Sequence, residues 1–503
     1  MKRILDRLTG ALTMYRLVIA ALLFVVIAAL VASAFGLLEF STGELALSLV
    51  VAVGVAVLTG WAFAPAFGLK PHRESSVITG LLVFLITVPS LNAQALAVIA
   101  LAAALASASK YLIAIRGRHV LNPAAAGVAI VSLVGLSSQS WWVASPVLLP
   151  FVAVGAFLIL YRTRKLLVGV IFMVLAVLLA VGAMLAFGSP IDAALQVALW
   201  SSPVVFLGGF MFSEPLTLPP LRRQQLVIAA VVAVVYALPL WLSALNLPTI
   251  ALLSPALALI VGNVVAFFFG QRRGIKLTLS SRRQLTPTTW EFGFTPTAPV
   301  QFRPGQYMEL TLPHRPGDAR GYRRIFSIAS APADGSITFG IKFSEKTSTF
   351  KSALAALPLG TQLRATSVGG DFLLPEDPRT PVLLIAGGIG ITPYISQLTE
   401  AAARDAVLVY SVTSPDELVY AEELERSGIR VLLIAPQSPP ELPDTWRYLG
   451  AARLSAATLQ AEVPALAERV VYVSGPPAMV AELKAALHAA GVRRVVSDYF
   501  TGY

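Results

Sequence analysis

With 56% hydrophobic and only 13% charged residues, this chain of 503 residues is far too apolar to be an ordinary soluble protein. Its 38 Lys and Arg against 27 Asp and Glu give a formal charge of +11. No nucleic-acid-binding motif accompanies that charge, so we expect no nucleic-acid partner. The lack of cysteine excludes disulfides, cysteine-ligated zinc and cysteinyl iron–sulfur clusters within this sequence.

The excess of apolar residues is concentrated before residue 271. Spanning the hydrocarbon core of a bilayer takes about 20 apolar residues. The basic N-terminus is followed by a long apolar run without a small-residue cleavage site, so we expect a retained first helix. The sequence predicts about ten membrane helices, at 16–38, 43–67, 76–90, 94–115, 120–137, 141–161, 165–187, 191–213, 223–244 and 249–270.

Lys and Arg occur only in every second loop between these segments. The loops on one side hold Lys70 and Arg73, Arg116 and Arg118, Arg162 to Lys165, Arg222 and Arg223, and finally Arg272, Arg273 and Lys276. The loops on the other side, around Ser41, Asn92, Gln139, Pro190 and Asn246, hold neither residue type. The positive-inside rule then predicts an integral protein of a bacterial-type inner membrane, surrounded by lipid, with both termini cytoplasmic.

A weak internal echo suggests an inverted repeat. Asn122-Pro123-Ala124 opens the fifth segment and Ser254-Pro255-Ala256 lies in the tenth, while Ser75-Ser76 and Ser201-Ser202 lie in the third and eighth. Members of each pair are five segments apart and so enter the membrane from opposite sides. This is typical of a five-plus-five inverted repeat with a ligand site where the repeats meet.

Three stretches in this half, at 71–82, 116–125 and 210–217, occur in the order of one family. They resemble the membrane-embedded flavin proteins of the Rnf complex and of the sodium-translocating NADH:quinone reductase. The resemblance implies a flavin within the membrane, and we assign Asn122 and Glu214 to its site because helix N-termini bind anions. The family's Ser-Gly-Ala-Thr-type attachment motif is missing from residues 135–140. A noncovalent flavin, FMN or riboflavin, is therefore the expectation.

Haem is the main alternative carrier. A transmembrane pair of haems needs facing histidines at two depths, and this half contains only His72 and His119, both near the predicted inner rim. A single peripheral haem of a ferric-reductase-like protein stays open. We expect no metal site otherwise.

From Ile275 onward the pattern becomes that of a soluble protein. Short alternating strands at 276–280, 290–294, 307–312 and 336–343 predict a small antiparallel barrel. Strands and helices then alternate from Pro381 to 474, which predicts a parallel α/β sheet. The predicted domains are a transmembrane electron-transfer domain at 1–270, a β-barrel at 271–378 and an α/β domain at 379–503.

The barrel contains Arg324-Ile325-Phe326-Ser327, and the whole of 275–503 resembles the ferredoxin–NADP reductase superfamily. The resemblance implies that Arg324 pairs with the FAD pyrophosphate, Phe326 stacks on the flavin and Ser327 hydrogen-bonds near its N5. A guanidinium fork matches phosphate oxygens, which supports the first role. Lys342, Ser348 and Thr349 fall where the family has a second phosphate-binding turn.

The α/β part contains a glycine-rich turn, Gly387-Gly388-Ile389-Gly390-Ile391-Thr392-Pro393, between an apolar strand and a helix. Glycines let the backbone approach a pyrophosphate, and the helix N-terminus stabilises its charge. We therefore assign nucleotide binding to Gly387, Gly388, Gly390, Thr392 and Pro393.

Near the C-terminus, Ser474-Gly475-Pro476-Pro477 resembles the family's Cys-Gly-Pro-Pro motif, with Ser474 in the cysteine position beside the hydride path. Gly475 and Pro476 join the predicted nucleotide site. Phe500 is the expected aromatic residue over the flavin, with Tyr503 as the second choice. Ser327, Ser474 and Phe500 are thus the predicted catalytic residues.

The nucleotide is NADH or NADPH. A 2′-phosphate needs arginines after the second strand of the domain, whereas 411–417 contains Asp416 and Glu417. The sequence therefore favours NADH.

Together these features predict a membrane flavoprotein that passes electrons from cytoplasmic NADH through FAD to a membrane-embedded carrier. From there they would reach quinone or an extracytoplasmic redox partner protein, with further subunits as candidate partners. A membrane transporter whose soluble part only senses nucleotide is the alternative from another class.

Overall fold

The computed structural model describes residues 14–69, 71–115, 118–136, 139–163, 165–248, 253–270, 274–315, 322–344 and 347–499. They form two compact units, a helical unit at 14–270 and a second unit at 274–314 and 322–499. Phe500, Tyr503, the predicted outer-loop residues Ser137 and Ser138, and the predicted inner-loop residues Lys70, Arg116, Arg272 and Arg273 lie outside the described residues.

All ten predicted apolar segments contain helix. The helices are α1 (Met14–Ala34), α2 (Thr42–Ala66), α3 (Arg73–Ile86), α4 (Ala93–Leu112), α5 (Pro123–Leu133), α6 (Leu149–Thr163), α7 (Leu166–Ala186), α8 (Ile191–Ser201), α9 (Val204–Phe212), α10 (Arg222–Ala244) and α11 (Pro255–Gly270). A two-residue pair of strands, β1 (Ala114–Ile115) and β2 (Arg118–His119), joins α4 to α5.

Five of these helices are long and apolar enough to cross a membrane: α1, α2, α4, α7 and α10. The predicted eighth segment is not one straight helix, because α8 and α9 are bent by 44° at Ser202-Pro203. Proline has no N–H for the helical ladder and clashes with the preceding turn, which explains the break. The predicted fifth segment is also shorter than expected, since α5 begins only at Pro123.

The two groups of five segments have the same pattern of neighbours. In the first group α3 packs against α1 and α2, and α4 packs against α2 and α5. In the second group α9 packs against α6 and α7, and α10 packs against α7 and α11. The groups meet where α1 packs on α6 and α5 packs on α11.

The sequence similarity between the fifth and tenth segments has a local structural basis. Asn122 caps α5, with its Oδ1 accepting from Ala125 N, and Pro123 is the first helical residue. Ser254 Oγ likewise accepts from Leu257 N at the start of α11, where Pro255 comes first. Side-chain oxygens satisfy the unpaired N–H groups of a first turn, and proline is tolerated there because its missing N–H would have no partner.

The first part of the second unit is a six-stranded antiparallel sheet in the order β6-β5-β8-β3-β4-β7. Its edges approach each other, because Ala329 N after β6 donates to Thr338 O in β7 over 2.9 Å. Buried apolar side chains such as Phe292, Phe294 and Phe339 fill its interior. The elements are β3 (Ile275–Thr286), β4 (Thr289–Pro296), β5 (Tyr307–Thr311), β6 (Arg323–Ser327), β7 (Ile337–Lys342), the short helix α12 (Thr349–Ala355) and β8 (Gln362–Gly369).

The rest of the second unit is a parallel sheet in the order β12-β11-β10-β9-β13-β14, covered by helices. Its elements are β9 (Val382–Gly387), α13 (Thr392–Ala402), β10 (Ala406–Ser411), α14 (Ala421–Ser427), β11 (Arg430–Ile434), β12 (Trp446–Tyr448), α15 (Ala456–Glu462), β13 (Val470–Gly475), α16 (Pro477–Ala489) and β14 (Val495–Tyr499). The chain leaves β9 toward β10 and returns on the other side of β9 at β13. Such a switch point opens a crevice at the carboxyl ends of the two strands, where open α/β sheets bind ligands.

Candidate functional site

The two nucleotide motifs meet at this switch point. A Cβ added to Gly390 would lie 2.5 Å from Ser474 O and 2.8 Å from Gly475 Cα. Only glycine allows the loop after β9 to lie so close to the end of β13. The structure therefore brings together two predicted motifs that are far apart in the sequence.

The other glycines of the turn are required for different physical reasons. Gly387 packs against Met479, whose Sδ would be 2.6 Å from an added Cβ. Gly388 has φ +53°, and an added Cβ there would meet open space. Its left-handed backbone favours glycine. It leaves the exposed side of the turn free of side-chain atoms, as a close-lying pyrophosphate requires.

Thr392 and Pro393 form the first turn of α13 directly after this loop. Thr392 Oγ1 donates to Ile389 O over 3.1 Å and so ties the helix start to the loop. Proline is tolerated at position 393 because a backbone N–H in the first turn of a helix has no partner within the helix. The N-terminus of α13 thereby lies beside the crevice, with the partial positive charge that phosphate prefers.

Ser474 is fully buried at the end of β13, and its Oγ has no hydrogen-bond partner among the described residues. An unsatisfied buried hydroxyl costs about 1–3 kcal/mol. Its place beside Gly390 fits a ligand that supplies the missing partner. Gly475 and Pro476 follow it, and Pro476 precedes the first turn of α16. These residues fit a nicotinamide nucleotide.

In the barrel, Arg324 and Phe326 lie on the same face of β6. The buried Arg324 guanidinium stands 5.4 Å from the centre of the Phe350 ring, and its Nη1 donates to Arg323 O over 2.6 Å. The Phe326 ring is half-buried, 5.9 Å from the Phe350 ring and 6.1 Å from that of Phe339. Ser327 is buried at the end of the strand, opposite Tyr307 of β5. The grouping of arginine and aromatic ring fits the predicted flavin contacts.

The residues predicted for a second phosphate contact have partners of their own. Lys342 Nζ lies 2.5 Å from Glu417 Oε1. Ser348 caps α12 and accepts from Lys351 N, while Thr349 Oγ1 lies 2.9 Å from His314 Nε2. Their role in phosphate binding stays a prediction.

Glu417 is a residue whose partners sequence reasoning missed. It follows β10 at the carboxyl edge of the sheet, and Thr413 Oγ1 donates to its second carboxylate oxygen. Hydrogen bonds from Lys342 and then from Thr413 hold the pKa of the Glu417 carboxyl below its ordinary value of 4.5. In the sequence, only the acidic character of 411–417 indicated that a basic or hydroxyl partner would lie near Glu417.

The barrel and the α/β part are joined by buried hydrogen bonds in which one residue of α13 accepts and another donates. Gly305 N donates to Ser396 Oγ over 2.8 Å, and Gln397 Nε2 donates to Phe372 O over 2.7 Å. A Cβ on Gly305 would lie only 2.1 Å from Phe372 O. The helix that begins at the nucleotide loop therefore also fixes the barrel, a function that neither Ser396 nor Gln397 signalled in the sequence.

In the helical unit, Glu214 and Asn122 are brought together although 92 positions separate them. Asn122 Nδ2 donates to Glu214 Oε2 over 2.9 Å, and His119 Nε2 lies 2.9 Å from Glu214 Oε1. His72 instead caps α3, where its Nδ1 accepts from Ser75 N. The two predicted site residues, Asn122 and Glu214, are thus hydrogen-bonded to each other, and His119 contacts the same Glu214 carboxylate.

Comparison with known proteins agrees with this reading of the second unit. Residues 384–485 match the family described as oxidoreductase NAD-binding domain. This confirms the prediction of an oxidoreductase nucleotide-binding region, and the C-terminal region is similar to ferredoxin–NADP reductases.

Several curated relatives cover this region. The toluate 1,2-dioxygenase electron transfer component of Pseudomonas putida is 27% identical over 239 residues, 44% of this chain and 66% of that protein. The glycine betaine monooxygenase reductase subunit of Chromohalobacter salexigens is 27% identical over 40% of this chain and 58% of that protein. Ferredoxin–NADP reductase B of Sorangium cellulosum is 29% identical over 41% of this chain and 84% of that protein. The chain thus spans less than two thirds of the first two relatives.

Among solved structures, the cytochrome P450 reductase of Amycolatopsis has a TM-score of 0.39 at 24% identity, covering 45% of this chain and 70% of that one. The FAD/NAD-binding domain of nitric oxide dioxygenase from Vibrio cholerae has a TM-score of 0.38 at 21% identity. The match covers 46% of this chain and 99% of that one.

Proposed function

We propose that this protein is a membrane-bound flavin oxidoreductase that passes electrons from NADH through FAD into a carrier held by the helical unit. The observation that carries the proposal is the buried, unpartnered Ser474 hydroxyl at the switch point, where Gly390 brings the two nucleotide loops into contact. The two curated relatives described as an electron transfer component and a reductase subunit support the direction of transfer.

FAD supplies the chemistry of accepting a hydride and releasing its electrons singly. In this chain Arg324 would hold the pyrophosphate of FAD, Phe326 would pack against the flavin, and Ser327 would hydrogen-bond to it. Ser474 would orient the nicotinamide, and the nucleotide phosphates would be held by Gly387, Gly388, Gly390, Thr392 and Pro393. Phe500, which lies outside the described residues, would be the aromatic residue that contacts the flavin.

NADH is the preferred donor. Glu417 follows β10, the second parallel strand, and its carboxylate would accept a hydrogen bond from a ribose 2′-hydroxyl in addition to those from Lys342 and Thr413. The same carboxylate repels a 2′-phosphate.

The helical unit, residues 1–270, crosses an inner membrane with both termini cytoplasmic. The five long apolar helices and the one-sided loop charges support this placement. The recurring pattern of helix neighbours supports a five-plus-five inverted repeat. Residues 271–378 bind FAD and 379–503 bind NADH.

Crossing about 30 Å of hydrocarbon calls for a carrier inside the bilayer. A noncovalent flavin, FMN or riboflavin, near Asn122 and Glu214 serves this purpose. The acceptor of its electrons would be quinone or an extracytoplasmic redox partner protein, with further subunits as additional partners.

The test uses the full chain in inverted membrane vesicles. NADH oxidation with ferricyanide, which takes electrons from FAD, is expected together with slower reduction of a quinone analogue. Membranes carrying Ser474→Ala provide the matched control for the nucleotide site. A folded, FAD-loaded protein that does not oxidise NADH would overturn the proposal and favour a nucleotide-sensing transporter.

A further inference from the structure

Both ring nitrogens of His314 form hydrogen bonds beside the predicted second phosphate contact of the barrel. Nδ1 lies 2.8 Å from Leu312 O, and Nε2 lies 2.9 Å from Thr349 Oγ1. A carbonyl oxygen can only accept, so Nδ1 is the nitrogen that carries a hydrogen. In a neutral imidazole Nε2 then has a lone pair and no hydrogen, and it accepts from the Thr349 hydroxyl.

This arrangement determines what Thr349 can offer to a ligand. Its single hydroxyl hydrogen points to His314, which leaves only oxygen lone pairs for another partner. Phosphate oxygens are acceptors, so they need a donor instead. A second proton on the imidazole reverses the bond, because Nε2–H then donates to Thr349 Oγ1 and the hydroxyl turns its own hydrogen outward. The same two heavy atoms form the bond in both states.

His314 and Thr349 belong to the same cluster as the predicted pyrophosphate residue. Thr349 is the first residue of α12, and Phe350 beside it is fully buried. The Phe350 ring stands 6.1 Å from the His314 ring, and Arg324 Cζ lies 5.4 Å from the centre of the Phe350 ring. His314 and Thr349 themselves are half-buried, so water and a ligand can reach them. A proton can therefore enter this cluster from solvent.

The surroundings of His314 contain more basic than acidic groups. The titratable side chains on β5, β6, α12 and the adjoining chain are Glu309 and Arg323, which pair with each other, Tyr322, Arg324, Lys351, whose Nζ donates to Lys342 O, and Arg315. Among the residues that the structure describes, no carboxylate forms an ion pair with His314. A phosphate would supply the negative charge that stabilises an imidazolium.

We propose that His314 takes up a proton when the pyrophosphate of FAD binds, and that the imidazolium makes the Thr349 hydroxyl a donor to a phosphate oxygen. The proton comes from solvent and forms the Nε2–H bond. Histidine is the side chain that ordinarily changes its charge near neutral pH, so the uptake is accessible there. The inference rests on the proposed function, because it concerns how the barrel binds FAD. His314 is thus a positioning residue that acts on the phosphate through Thr349.

The experiment titrates FAD into the full-length protein, stripped of flavin and held in lipid nanodiscs, by isothermal calorimetry. Titrations at about pH 7.5 in two buffers of different ionisation enthalpy give the number of protons taken up for each FAD. We expect about 0.5 to 1 proton. FAD affinity should then fall about three- to tenfold for each unit of rising pH, because binding consumes a proton.

His314→Gln cannot take up a proton, so we expect its proton uptake to vanish and its FAD affinity to become independent of pH. A merely structural role of His314 would weaken FAD binding equally at every pH. Thr349→Val keeps the imidazole but removes the hydroxyl, and it should lose the uptake as well. This second variant decides the question if His314→Gln does not fold.

His488→Gln is the matched control. His488 is exposed on α16, where its Nδ1 lies 3.0 Å from Val492 O, and its replacement should leave the proton uptake unchanged. FAD binding without proton uptake in the native protein, or native uptake in either test variant, would overturn the inference and leave the proposed function in place. A native protein that binds no FAD would overturn the proposed function, and the inference with it.

Discussion

The backbone of Gly390 lies against the carbonyl of Ser474, so close that a Cβ on Gly390 would stand 2.5 Å from that oxygen. This contact joins the loop after β9 to the end of β13 across the switch point of the parallel sheet. Real Cβ atoms do not approach a backbone oxygen so closely. A side chain at position 390 therefore has to displace one strand end.

Gly390→Ala is expected to raise the KM for NADH at least about tenfold, because the displaced loop no longer matches the nucleotide. Steady-state NADH oxidation with ferricyanide measures the change. Gly428→Ala is the control: it replaces a glycine with positive φ in the same sheet domain, but an added Cβ there meets open space. Equal kinetics in the two variants would contradict this account of Gly390.

Ser474→Ala is expected to retain or raise thermal stability in the absence of nucleotide, because it removes a buried hydroxyl that has no hydrogen-bond partner within the described residues. Hydride transfer to FAD slows about three- to tenfold, the value of one neutral hydrogen bond. Stopped-flow absorbance of FAD on mixing with NADH measures that rate. Ser474→Cys retains part of it, and a native rate in the alanine variant would remove Ser474 from the site.

Arg324→Ala is expected to lower FAD occupancy at least about tenfold, since a guanidinium–phosphate contact is charge-assisted. The ratio of FAD to protein after gel filtration measures it. Arg379→Ala removes an exposed arginine that pairs with Asp377, two positions away, and it should retain FAD. Full FAD retention in both variants would count against the flavin assignment of Arg324.

Glu417→Gln tests the ion pair with Lys342 through its pH dependence. The folded pKa of Glu417 lies below the ordinary value of 4.5, so folding favours the ionised form. The stabilisation is fully present above about pH 4.5 and is lost as the pH falls through the lowered pKa. Because both side chains are partly exposed, its size is at most about 1 kcal/mol.

Unfolding midpoints of the native protein and Glu417→Gln should therefore differ most near neutral pH and converge in acid. Glu425→Gln, on an exposed side chain of α14, is the control and should follow the native curve. A difference that grows on acidification has the wrong sign for a lowered pKa.

Gln397→Leu removes the buried hydrogen bond to Phe372 O and leaves that carbonyl unsatisfied, which costs about 1–3 kcal/mol. Because Gln397 positions α13 against the barrel, we expect slower FAD reduction by NADH at saturating nucleotide, with FAD still bound. Rapid-mixing kinetics and a denaturation curve measure the two effects. Glu400→Leu, on the exposed side of α13, should change neither.

Local chemistry in the sequence predicted most of the elements and the separate motifs. The helix start at Asn122-Pro123, the buried strand before Gly387 and the turn of glycines follow from capping, hydrophobic runs and backbone freedom. These are interactions between residues a few positions apart, so they can be read along the chain. The start of α11 at Pro255 was not predicted, because the apolar run of the tenth segment already begins at residue 249. The break between α8 and α9 was missed because the apolar run through Ser202-Pro203 reads as one continuous segment.

Contacts between distant parts of the chain were decided by the tertiary structure alone. The shared carboxylate of Asn122, His119 and Glu214, the approach of Asn263 to Asn122, and the ion pair of Lys342 with Glu417 each join different elements. Residue type predicts that a buried polar group needs a partner but does not specify which one. That choice depends on how helices and strands pack, since packing alone places two side chains within hydrogen-bond distance.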